Sequence, residues 1–172
     1  MNRSILLIGF MGAGKTTVSR ALAGQAHLPE LDTDQEIVRR AGMSIPEIFA
    51  REGEQAFRNR ETDLLRELAA GDAMIISCGG GMAMREENAA LMHQAGTVVL
   101  LSASPETILE RVRDDDNRPL LRGHKDVPYI RQLMEARRPR YEAAADMTVV
   151  TDGRSAEDIA AEILGRLSSG TV

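Results

Sequence analysis

The chain has 172 residues, 43% hydrophobic and 27% charged, with only 3% aromatic and no tryptophan. That is enough for one domain with a sizeable aliphatic core, and the composition points to neither a disordered nor a membrane class. The net charge of −5 argues against a nucleic-acid-binding surface, and the single Cys78 excludes an intrachain disulfide or a multi-cysteine metal site and fits a reducing cytoplasm.

Ile5-Leu6-Leu7-Ile8 is an uninterrupted apolar run, as expected of a strand buried on both faces. The opening apolar stretch is too short for a signal peptide or a membrane span. Gly9-Phe10-Met11-Gly12-Ala13-Gly14-Lys15-Thr16-Thr17 follows, in which Gly9, Gly14, Lys15 and Thr16 fit G-x-x-x-x-G-K-[ST]. Val18, Ala21 and Leu22 then recur at helical spacing. The motif therefore stands between a strand and a helix, where glycines let backbone N–H groups form an anion nest at the helix N-terminus. In such a loop Lys15 bridges the β- and γ-phosphates, and Thr16 offers its hydroxyl to a magnesium ion. A glycine-rich turn with an incidental lysine would explain the same letters. Yet the chain has nineteen arginines and two lysines, Lys15 and Lys125, so a lysine stands where a compact point charge fits. The loop identifies a nucleotide, not a reaction.

Next, His27 to Leu31 leads as a short strand into Asp32-Thr33-Asp34. A helix starting at Thr33 or Asp34 carries Ile37 and Val38 and is closed by Gly42. Ser44-Ile45-Pro46-Glu47 is a capping box that opens a short helix, which Gly53 breaks. The spacing predicts a longer helix over 54–70 with Phe57, Leu64, Leu65 and Leu68 on its inner face. Arg58 and Glu61, three apart, neighbour one another on it. Residues 73–78 read as a buried strand running into Gly79-Gly80-Gly81. A helix over 86–94 ends at Gly96, and 97–101 is another buried strand. Ser104-Pro105-Glu106 starts a helix that reaches Arg111 or Arg113. Residues 114–126 have no apolar periodicity and many charges, which marks a mobile loop or lid. A helix over 129–144 tolerates Pro139, 147–150 is the last strand, and a helix capped by Ser155 runs to 167, leaving 168–172 frayed. Alternating strands and helices imply an α/β fold with a parallel sheet covered on both faces, and the absence of linkers or repeats implies one domain.

Asp32 and Asp34 fall at the carboxyl end of a strand, the edge where open α/β sheets bind ligands. Helix capping could account for one of them. Three glycines ending a buried strand suggest close approach of backbone to a ligand. Arg58, Arg118 and Arg137 are separated in sequence, and composition alone does not select them.

The set Gly9-Phe10-Met11-Gly12-Ala13-Gly14-Lys15-Thr16-Thr17, Leu31-Asp32-Thr33-Asp34, Phe57-Arg58-x-x-Glu61, Gly79-Gly80-Gly81, Arg118-Pro119-Leu120-Leu121 and Arg137-x-Pro139-x-Tyr141 resembles the shikimate kinases over nearly the whole chain. The resemblance implies a P-loop kinase fold with a five-stranded parallel sheet in the order 2-3-1-4-5, helices on both faces and a lid at about 114–126. It implies a cytoplasmic enzyme that phosphorylates the 3-hydroxyl of shikimate with MgATP in aromatic amino-acid biosynthesis. No nucleic-acid or membrane partner is expected, and a monomer is.

The resemblance also implies roles. Arg58 and Arg137 clamp the shikimate carboxylate, for which the guanidinium fork is suited. Asp34 binds ring hydroxyls and accepts the proton of the attacking one. Gly80 offers its N–H to the substrate, and Glu61 orients Arg58. Gly12, Ala13, Gly14, Lys15, Thr16 and Thr17 bind the nucleotide phosphates. Asp32 joins Thr16 around Mg2+, Arg118 reaches the transferring phosphate, and Arg111 stacks on adenine. The chain departs from the family at Ser19, where Gly is usual, at Arg140, commonly Leu, and in lacking the proline often found after the last strand, where Gly153-Arg154-Ser155 stands. A gluconate kinase of the same fold is the competing enzyme. A non-catalytic nucleotide-binding module is the competing class, and it predicts the loss of a catalytic group.

Overall fold

A five-stranded parallel sheet carries the site, with β1 (Ser4–Ile8) at its centre between β3 (Ile75–Ser77) and β4 (Gly96–Ser102). β2 (Glu30–Asp32) and β5 (Met147–Val150) are the edges, giving the expected order 2-3-1-4-5. The structure is a computed structural model that describes residues 3–113 and 126–172. All five residues of β1 are buried, as a strand flanked by neighbours and covered by helices on both faces requires.

The register sets the functional edge. Asp32 and Leu7 both pair with Ser77, and Ile8 pairs with Leu100. The chain leaves β1 at Gly9, β2 at Asp32 and β3 at Cys78, so all three exits meet at one carboxyl end of the sheet.

The helices follow local rules. α1 (Lys15–Ala26) begins at the phosphate loop and packs against α8 (Ala156–Ser169), whose cap is Ser155. α2 (Thr33–Ala41) is capped by Asp32 and ends at Gly42. In α3 (Ile45–Glu52) the Ser44 side chain accepts from Glu47 N. α4 (Glu54–Ala70) buries Phe57, Leu64 and Leu65, with Leu68 partly buried. Ile37, Ile48, Phe57 and Leu64 form a separate small core that joins α2, α3 and α4 beside the main one. α5 (Glu86–Ala95) follows a 3-10 turn at Met82–Met84, α6 (Pro105–Val112) is capped by Ser104, and α7 (Val127–Ala144) passes through Pro139 without ending.

Some boundaries differ from the sequence expectation. β3 has three residues instead of six, although Met74 O and Cys78 N still bond to β1 at its two ends. Gly96 is the first residue of β4 as well as the stop of α5: a Cβ there would lie 1.8 Å from Ser4 O, so close strand approach requires the glycine. α7 starts earlier, because Asp126 accepts from Tyr129 N and Pro128 suits the first turn. α8 continues through Ser169 to a left-handed Gly170. Among the described residues no helix is long and apolar enough to cross a membrane.

Candidate active site

The phosphate side is built by the exit from β1. Gly14 precedes α1 with φ 98°, a conformation costly for any residue with a Cβ. Lys15 Nζ folds over the loop, donating to Gly9 O at 2.6 Å and Phe10 O at 3.1 Å. Arg111 reaches across from α6 to donate to Gly12 O at 2.8 Å. The expected nucleotide residues Gly12, Gly14, Lys15, Thr16, Thr17 and Arg111 line one cleft of about 630 Å³, with Asp32, Asp34, Gly79 and Gly80 on its other wall. Ala13 is buried and does not line this cleft; it lines a second cavity with Phe10, Ser104 and Asp152.

The two aspartates divide the labour that sequence left open. Asp32 Oδ1 caps α2 by accepting from Gln35 N, while Oδ2 accepts from Thr16 Oγ1 at 3.2 Å. Capping thus explains one oxygen of Asp32, and the other joins a hydroxyl at the phosphate loop. That pair of hard oxygens suits magnesium, which takes few protein ligands and completes its shell with phosphate oxygens and water. No group of three His, Cys, Asp or Glu among the described residues could hold a metal. Asp34, in the first turn of α2, faces the cleft instead.

The three glycines explain how the remaining groups converge. A Cβ on Gly79 would lie 2.5 Å from Asp34 Oδ1 and 2.9 Å from Glu61 Oε2. On Gly80 it would lie 3.4 Å from Arg137 Nη1, and on Gly81 2.4 Å from Arg58 Nη1. The loop thus meets the site's own side chains closely, while Gly79 and Gly80 also line the cleft. Arg137 also lies over the Phe10 ring of the phosphate loop, 5.8 Å from its centroid. Arg58, Glu61 and Arg137 do not line the cleft itself; they stand against the loop that does.

Arg58 donates from Nη1 to Glu61 Oε1 at 2.7 Å and from Nη2 to Glu54 Oε1 at 3.3 Å. Glu61 is fully buried at 0% exposure. Burial pushes its carboxyl up to about 7; Arg58 pulls it back and the nearby Asp34 pushes it further. Cys78, under the cleft, is a buried thiol that burial pushes up, so it stays protonated and inert. Arg118, and 114–126 apart from Asp126, lie outside the described residues.

The family model described as shikimate kinase matches residues 11–168. The shikimate kinase of Neisseria meningitidis serogroup C (strain 053442) is 45% identical over 167 residues, 97% of each chain. This chain belongs to the shikimate kinase family. The structure of shikimate kinase from Acinetobacter baumannii in complex with shikimate matches with a TM-score of 0.94 at 40% identity, over 100% of this chain and 96% of that one. A gluconokinase from Sinorhizobium meliloti 1021 has a TM-score of 0.64 at 19% identity, covering 98% and 93% of the two chains; that likeness concerns the fold alone.

In this shikimate kinase family member several supports escaped the sequence reading. Thr33, fully buried between the two aspartates, accepts from Gly79 N at 2.9 Å and ties the start of α2 to the glycine loop. The Tyr141 hydroxyl donates to Gly80 O, a role that the motif Arg137-x-Pro139-x-Tyr141 does not itself give, although its place four residues after Arg137 puts both on one face of α7. Thr151 donates to Ala13 O at 3.1 Å. Asp152 accepts from Ser104 N, Ser104 Oγ and Thr107 Oγ1, and those bonds hold its carboxyl below the usual range. Ser19 is accommodated: it is buried, and its hydroxyl bonds to Thr16 O and Glu30 Oε2, linking α1 to β2. Arg140 is exposed on α7.

Proposed function

We propose that this chain is a shikimate kinase that transfers the γ-phosphoryl group of ATP to the 3-hydroxyl of shikimate, giving shikimate 3-phosphate and ADP on the route to the aromatic amino acids. The observation that carries the reading is the loop at 79–81. Its three glycines abut Asp34, Arg137 and Arg58 in turn, so one proton acceptor and two guanidinium forks meet beside the phosphate loop. A rigid hydroxylated ring acid requires this set, with the anion at one end and the reacting hydroxyl at the other.

Each group then has a task. Arg58 and Arg137 bind the carboxylate, and Glu61 orients Arg58. Gly80 offers its N–H to the substrate. Asp34 takes the hydroxyl proton as the oxygen attacks the γ-phosphorus and the bond to the ADP oxygen breaks. The loop N–H groups from Gly12 to Thr17, with Lys15 and Arg118, stabilise charge on the transferring group. Arg111 holds the nucleotide base. Thr16 and Asp32 would hold Mg2+, which when bound neutralises phosphate charge. We take the chain to act as a single-domain monomer in the cytoplasm.

The test is a coupled ADP-release assay against shikimate, quinate, gluconate and nucleoside monophosphates. Shikimate should be the preferred acceptor. Arg58→Ala and Arg137→Ala should raise its KM by about ten- to hundredfold, the value of a charge-assisted pair, with the KM for ATP hardly moved. Arg137→Lys should restore only part of the loss, since the planar fork is gone. Comparable turnover of gluconate, or equal changes in both KM values, would overturn the assignment.

A further inference from the structure

We propose that Arg85 is a positioning residue of the carboxylate site: it is the second cation of Glu61 and, through Glu61, fixes the guanidinium of Arg58. The inference rests on the reading of Arg58 as a substrate anchor.

Arg85 sits immediately before α5, at the helix end whose dipole disfavours a cation, and it makes no side-chain cap. Its natural course from there is outward into solvent. It turns inward instead. Nη1 donates to Asn59 Oδ1 at 3.0 Å and to Thr62 Oγ1 at 3.2 Å, two α4 residues that flank Glu61 in sequence. Thr62 Oγ1 in turn donates to Asn88 Oδ1 at 2.7 Å, and Asn88 Nδ2 donates to Met82 O at 2.8 Å, beside the glycine loop. Asn88 and Thr62 are buried, Arg85 is half-buried and Asn59 is exposed, so the network runs from the surface into the interior.

Two polar side-chain atoms are buried without a hydrogen-bond partner among the described residues, and they are Glu61 Oε2 and Arg85 Nη2. One belongs to a carboxyl group and the other to a guanidinium, on segments packed against each other, so Arg85 acts on Glu61 through its charge and not through a direct ion pair. A buried carboxylate is costly unless cations compensate it. Arg58 compensates Oε1 directly, but Glu54 shares that guanidinium. The charged groups acting most strongly on Glu61 are Arg58, Asp34 and Arg85; Arg85 favours the carboxylate and Asp34 opposes it. The Cys78 thiol and the Tyr141 hydroxyl also lie within its field. Without Arg85, burial and Asp34 would keep Glu61 neutral up to a higher pH, and a neutral Glu61 holds Arg58 less firmly.

The experiment compares the parent with Arg85→Met, Arg85→Lys, Glu61→Gln and the Glu61→Gln, Arg85→Met double variant, measuring kcat/KM for shikimate from roughly pH 6 to 9 at saturating ATP. Arg85→Met should raise the KM for shikimate at least about fivefold at neutral pH and move the rising limb of the profile to higher pH, because the cation that favours the carboxylate is gone. Its kcat and its KM for ATP should stay within about twofold. Arg85→Lys keeps the charge and should keep the parent's limb. In the Glu61→Gln background, removing Arg85 should add no further rise in KM. If Arg85→Met does not fold, Arg85→Gln, which can still donate to Asn59 and Thr62, carries the same test. A loss equal at every pH, or undiminished in the Glu61→Gln background, would mean that Arg85 merely joins α4 to α5 and would overturn the proposal. Arg58→Ala separates the two readings. If it leaves the KM for shikimate unchanged, the anchor reading fails; if it raises KM while the Arg85 variants keep the parent's profile, only this inference fails.

Discussion

Replacing Glu61 by Gln should remove a folding cost that grows with pH and leave the protein less able to bind its acid substrate. The carboxyl is fully buried, and its folded-state value is pushed from 4.5 up to about 7. The folded state therefore holds the proton more tightly than the unfolded chain does. Below the lower value both states are protonated and Glu61 has no linked cost. As pH rises through that window the unfolded state ionises first, so stability falls; above the upper value the full cost is present. At 1.36 kcal/mol per unit, the cost at pH 8 is on the order of 3 kcal/mol, and at pH 5 it is below about 1 kcal/mol. Glu61→Gln does not titrate there, and its carbonyl can still accept from Arg58 Nη1. Urea unfolding of parent and variant at both pH values should show the variant's relative stability rising by about 2–3 kcal/mol from pH 5 to pH 8, with unchanged m-values. At the same time its KM for shikimate should rise by about tenfold, as a charged partner of Arg58 is replaced by a neutral one. A parent–variant difference that is the same at both pH values would refute the claim that Glu61 is held buried at a folding cost for the sake of Arg58.

Lys15→Met should leave a folded protein, because Nζ lies on the phosphate loop and not in the core. Turnover should fall at least about a hundredfold with the loss of charge stabilisation on the transferring group, and activity within a few-fold of the parent would contradict its assignment. Gly81→Ala would bring a Cβ within 2.4–2.6 Å of three guanidinium atoms of Arg58, so that side chain must move. The KM for shikimate should rise about tenfold while the KM for ATP stays put; equal effects on both would show that the loop serves the fold and not Arg58.

What sequence determined by itself is the local chemistry. An apolar run, a phosphate loop and a helix can be read from neighbouring letters because their physics acts over a few residues. The caps at Ser44, Ser104 and Ser155 and the stop at Gly42 are legible for the same reason. So is the Arg58–Glu61 pair, which one helical turn brings together. Tertiary structure decided which distant groups meet. The pairing of Ser77 with both Leu7 and Asp32 brings three strand exits together, and nothing within those short segments specifies that register. Thr33 and Tyr141 stand within the quoted motifs, but their roles show only when Gly79 N and Gly80 O face them. Gly96 reads as a helix stop, yet close contact with Ser4 O demands it. The run at 79–81 reads as a place of close backbone approach; only the folded chain shows Asp34, Glu61, Arg137 and Arg58, drawn from three helices, packed against it. Helical and strand periods act along the chain, whereas close approach between its distant parts depends on how the layers pack, and in this protein that packing brings Asp34, Arg58, Glu61 and Arg137 to one loop.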